Sequence, residues 1–174
     1  TMIYNENMLR DIVGKENKTR MKPFKFFLSH YGVMTMAYEG FTTPLLNIKN
    51  AISSKFPELK DENSGSKWPK TTLGCLRNNK VNVKIEDLRN ICDIHNDSLK
   101  NVEIDIDKIQ FVYFYNRTLE HRMVTTDLKL SSKPARTVDI PDWHKEKVKS
   151  VLEQFYNSKN DSPYSEEVKP QGNE

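Results

Sequence analysis

Glycine is scarce in this chain, with six among 174 residues. That leaves little material for a phosphate-cradling loop, and neither G-x-x-x-x-G-K-[ST] nor G-x-G-x-x-G occurs. H-E-x-x-H, G-x-S-x-G and paired C-x-x-C are missing as well. These absences argue against nucleotide-dependent kinases, dinucleotide oxidoreductases, zincins and serine hydrolases, and no cofactor or metal is implied. The two cysteines, Cys75 and Cys92, are too few for a disulfide framework or a four-cysteine zinc site. Each has apolar neighbours, Leu73 and Leu76 for one and Ile91 and Ile94 for the other, which predicts two buried, reduced thiols. No apolar run reaches the ~18 residues of a membrane helix. The N-terminus lacks the basic, apolar, small-residue order of a secretory signal. The expectation is a soluble protein without a membrane span in a reducing compartment, the cytoplasm.

What is present suffices for a core: 36% of residues are hydrophobic and 10% aromatic. A chain of this length buries about 70% of the surface that its unfolded form exposes. The net charge of +3 permits a polyanionic partner without pointing to one.

Met8, Leu9, Ile12 and Val13 predict a short amphipathic helix ending at Gly14, followed by a basic connector from Lys15 to Lys22. Phe24, Phe26, Leu28, His30 and Gly32 alternate with Lys25, Phe27, Ser29 and Tyr31, which reads as one long strand to Tyr38, bent at Gly32. A helix follows, with Thr43 as N-cap and Pro44 in the first helical position. Leu45, Ile48, Ile52 and Phe56 form its apolar face, and Pro57 ends it. A polar loop leads to a strand-like segment, Trp68 to Leu76, then to a basic turn from Arg77 to Lys84. Ile85, Leu88, Ile91 and Cys92 mark another helix, ending near His95 and Asn96.

Val102 to Tyr115 reads as the clearest strand, turning near Asn116 and Arg117 into a returning strand with Arg122, Val124, Thr126, Leu128 and Leu130 on one face. Pro141 opens the last helix, with His144, Val148, Val151, Leu152 and Phe155 on one side. The predicted organisation is an N-terminal helix and connector (residues 1–22), one α+β domain (23–156) and a disordered polar tail (157–174). Helices alternating with strands, then a hairpin, imply a mixed or antiparallel sheet with helices packed on it, a ferredoxin-like or related sandwich.

Lys67-Trp68-Pro69-Lys70-Thr71-Thr72-Leu73-Gly74 is the most unusual stretch. Lys67, Lys70 and Arg77 suit phosphate oxygens, Trp68 suits a base, and the Thr72 hydroxyl can donate a hydrogen bond. Equally, Trp68 serves as a core anchor, the threonines as β-formers and the lysines as a solvated fringe. Pro69-Lys70-Thr71-Thr72-Leu73-Gly74 resembles the His-x-Thr-Leu strand motif of the two-histidine phosphoesterases, the RNA ligase-like family that opens 2′,3′-cyclic phosphates, over roughly residues 24–96. The resemblance implies that family's sandwich and a phosphate-binding site. Lys70 stands where the family has its first histidine, and no second His-x-Thr or His-x-Ser exists. The resemblance thus implies a phosphate-binding or inactive relative more readily than a working esterase.

His30 on the first strand and His121 on the hairpin are the remaining acid/base or metal-pair candidates, with Lys70 as a third catalytic candidate; lone strand histidines are also commonly buried and hydrogen-bonded. Glu103, Asp105 and Asp107 share one strand face, a pattern fitting either a divalent cation or the solvent side of a half-buried strand. Phe111, Tyr113, Phe114 and Tyr115 form an aromatic cluster beside Lys108, Arg117 and Arg122. That cluster suits either base stacking or a homodimer interface.

Three expectations follow. The first is a noncatalytic binding domain for RNA or a phosphorylated small molecule, with Lys67, Trp68, Lys70, Thr72 and Arg77 as its ligand surface. The second is a divergent cyclic phosphodiesterase using His30, His121 and Lys70. The third is a scaffold that self-associates through the aromatic hairpin.

Overall fold

The computed structural model describes residues 5–28, 33–59, 68–75, 84–114, 122–133 and 138–157. The α+β class is as expected: four helices accompany seven strands, and every strand pairing is antiparallel, among the described residues. The strands fall into three small sheets. The chain divides into two compact units, each assembled from three stretches. Thr1–Met21, Phe41–Lys67 and Glu103–Pro141 form the first; Lys22–Gly40, Trp68–Val102 and Asp142–Glu174 form the second.

In the first unit, α1 (Glu6–Gly14) follows the predicted spacing and is capped by the Asn5 side chain, which accepts from the Met8 N–H. The basic connector is not wholly a connector. Thr19–Met21 forms a strand, β1, with Thr19 and Met21 buried. Helix α2 (Thr43–Lys55) starts one residue earlier than expected, so Thr42 rather than Thr43 takes the cap position. The Thr42 side chain makes no cap bond; it is fully buried and accepts from the Thr19 hydroxyl at 2.9 Å.

The predicted strand from Val102 is two strands rather than one over its described part: β5 (Ile104–Ile106) pairs with β1, and β6 (Lys108–Phe114) pairs with β7 (Arg122–Lys129); Tyr115 lies outside the described residues. The ladder changes partner at Asp107, whose carbonyl still accepts from the Leu130 N–H. Arg20 sits opposite Asp105 and pairs with both Asp105 and Glu103, so this acidic row is the solvent side of β5, answered by a cation of its own chain. The core gathers Leu9 and Val13 from α1, Ile48 from α2, and Leu128 and Leu130, with Ile52, Phe56, Ile109 and Phe111 packed against them.

In the second unit, two antiparallel strands stand where one bent strand was expected: β2 (Pro23–Leu28) pairs with β3 (Val33–Tyr38), and residues 29–32 between them lie outside the described residues. Period-2 alternation runs through both limbs of a hairpin alike, so it does not reveal the reversal. β3 continues to β4 (Lys70–Cys75), which completes the order β2-β3-β4. The outer edge of β2 is covered by α3 (Ile85–Asn96). The Phe26 N–H donates to Asn96 Oδ1 at 2.7 Å, and Lys25 pairs with Asp93. Helix α4 (Asp142–Asn157) lays Val148 and Leu152 against Phe27 and Ala37, with Trp68 packed on the same cluster. The polar tail beyond Asn157 lies outside the described residues.

Candidate functional site

Strand β4 carries the residues singled out from the sequence, and the register decides which share a face. Lys25, Ala37 and Lys70 stand opposite one another, as do Phe27, Thr35 and Thr72. Lys70 and Thr72 therefore lie on the face whose inner members, Phe27, Thr35 and Ala37, are buried, while both are themselves exposed at its margin. The next pair breaks alternation: Met34 faces Gly74 and Thr35 faces Thr72, leaving Leu73 as an extra, half-exposed residue.

Trp68 is a core anchor and a partner of Lys70 at once. Its ring packs on Phe27 with centroids 5.3 Å apart, and the Lys70 ammonium lies 4.3 Å from its centroid. Thr71 turns to the other face, where its hydroxyl hydrogen-bonds with that of Tyr38. The Tyr38 N–H donates to the Pro69 carbonyl, so Pro69 and Thr71 aim their backbone at β3 and the backbone of Thr72 turns outward. What β4 offers is thus one cation over an indole, one exposed hydroxyl and a solvent-facing backbone. An ammonium, a hydroxyl and backbone groups are of the kind that contact phosphate and base edges.

Of the other predicted site residues, Lys67, Arg77, His30 and His121 lie outside the described residues. The described histidines are His95, exposed at the end of α3, and His144, buried in the first turn of α4. No group of three metal-ligating side chains is found among the described residues. Cys75 is exposed on β4, contrary to the expectation of two buried thiols, because apolar sequence neighbours such as Leu73 lie in the open too. Cys92 is buried, and desolvation pushes its thiol above the usual range, with Asp93 adding to the effect.

A feature without a sequence signature lies elsewhere in the second unit. Phe24, Glu39, Lys145, Val148 and Lys149 line a pocket of about 200 Å³. The apolar spacing of α4 marks Val148 but neither lysine, and the strand irregularity that brings Phe24 to the pocket leaves no residue pattern.

Comparison with family models, with characterised proteins and with solved structures finds no match.

Proposed function

We propose that this chain is a noncatalytic binding domain for a phosphate-bearing ligand, with β4 as its ligand surface. The observation that supports the reading is the pairing of Lys70 with Trp68 beside the exposed Thr72 on the margin of one sheet face. An ammonium held over an indole supplies both a phosphate contact and the edge of a stacking surface. The resemblance of Lys70-Thr71-Thr72-Leu73 to a phosphoesterase strand motif favours the same ligand class. Single-stranded RNA and 2′,3′-cyclic nucleotides are the first probes. Labelled RNA is followed by fluorescence anisotropy and the cyclic nucleotides by tryptophan fluorescence. Binding is expected at tens of micromolar and weakens with salt. Absence of salt-sensitive binding at that concentration rejects the proposal. The phosphodiesterase alternative rests on His30, His121 and Lys70, of which the two histidines lie outside the described residues.

A second reading, self-association through the β6–β7 hairpin, has an observation of its own. Tyr113 and Val124 continue the apolar stripe of Phe111 and Leu128, yet are 49% and 44% exposed. Light scattering distinguishes this reading, and a strict monomer at high concentration counts against it.

A further inference from the structure

The pocket in the second unit is built from parts that define a ligand. Pro23 stands opposite Tyr38 and Lys25 opposite Ala37, so Phe24 is an extra residue in β2. Bulges of this kind re-aim a side chain out of the strand's alternation. Here the Phe24 ring, 37% exposed, becomes a pocket wall. Val148 forms an apolar floor, fully buried in the core.

Lys145 and Lys149 are four residues apart on α4, hence on one side of the helix and flanking that floor. Their partners, Asp142 at 3.1 Å and Glu146 at 3.0 Å, are well exposed, and surface ion pairs of this kind hold their members weakly. The carboxylate in the lining, Glu39, pairs with Lys22 at 3.0 Å and also acts on Lys149, as does Glu153. Two ammonium groups therefore stand beside an aromatic and an aliphatic wall, held by surface pairs that an incoming anion exchanges.

We infer that this pocket binds a small aromatic anion, a single ring bearing one phosphate or carboxylate. A cavity of about 150 Å³ accommodates benzene, and pockets for drug-sized ligands begin at about 300 Å³. The present volume of about 200 Å³ suits one ring and a small substituent. The ring packs against Phe24 over Val148 in offset or edge-to-face geometry, and the anion lies between the two lysines. The site uses no residue of β4, so it stands or falls apart from the binding reading above.

The test is a titration of the full chain with phenyl phosphate, followed by amide and side-chain NMR shifts. Saturable shifts are expected at Phe24, Glu39, Lys145 and Lys149 in the millimolar range. Phenol and inorganic phosphate are each expected to bind at least tenfold more weakly, and benzoate to compete. The Lys145→Gln/Lys149→Gln variant should lose at least tenfold in affinity with an otherwise unchanged spectrum. Phe24→Leu should weaken phenyl phosphate without changing the response to inorganic phosphate, which keeps the inference testable if the double variant fails to fold. Shifts scattered over surface lysines, inorganic phosphate binding as tightly as phenyl phosphate, or wild-type affinity in either variant overturns the inference.

Discussion

Leu152 and Ile94 both sit on amphipathic helices, and hydrophobicity alone gives no reason to rank them. Their environments do. Leu152 is 3% exposed and packs with Phe27, Ala37 and Val148, whereas Ile94 is 73% exposed on α3. Leu152→Ala removes three buried side-chain carbons, an isopropyl group, and leaves a cavity, a change that costs about 3 kcal/mol. Ile94→Ala removes little buried area and gains helix propensity, so its effect should stay within about 0.5 kcal/mol. Both tryptophans, Trp68 and Trp143, belong to the second unit, so their fluorescence reports on the unit that carries both substitutions. In urea, with a slope of about 2 kcal/mol per molar, Leu152→Ala should lower the midpoint by about 1.5 M and Ile94→Ala by almost nothing. Equal midpoint shifts for the two variants would refute the placement of α4 on the Phe27–Ala37 face.

Three other outcomes follow from the geometry. A thiol reagent near pH 8 should modify Cys75 rapidly and Cys92 only on unfolding, because Cys92 is buried and its thiol is pushed up by desolvation. Thermal or urea unfolding of Asn96→Ala should show a loss of about 1–2 kcal/mol, because the Phe26 N–H loses its acceptor at the covered edge of β2. Asp127 is held below the ordinary carboxylate range by its hydrogen bonds from Lys108 and Gln110, so it favours folding above the unfolded carboxylate pKa and loses that contribution as pH falls through its folded value. An NMR titration of Lys108→Met should show the Asp127 pKa rising toward its ordinary value.

The helices were legible because each is long enough for a 3.6-residue apolar stripe. Strand β7 was legible from its alternation, whereas the change of partner at Asp107 that divides β5 from β6 was not. Other features depend on partners distant in sequence. Thr19–Met21 is three residues long and pairs with Ile104–Ile106, so nothing local marks it as a strand. Phe24 and Leu73 stand at strand irregularities, which shift register without leaving a residue pattern. Thr42 outranks Thr43 as the start of α2 because a buried contact with Thr19 fixes it, a contact 23 residues away in sequence. At β4, the spacing of Lys70 and Thr72 was enough to place both on one face. The exposure of Cys75 was not legible, since apolar neighbours in sequence do not guarantee cover in space.

The binding reading is tested most directly by the salt dependence of RNA affinity in Lys70→Ala, with Lys100→Ala, the loss of an exposed lysine that is not on β4 but follows the short helical turn Asp97–Leu99, as the control. If Lys70 meets a phosphate, its loss should reduce the slope of log affinity against log salt by about 0.7 and weaken binding several-fold, while Lys100→Ala leaves the slope unchanged. The same slope in both variants and in the wild-type chain would contradict β4 as the ligand surface.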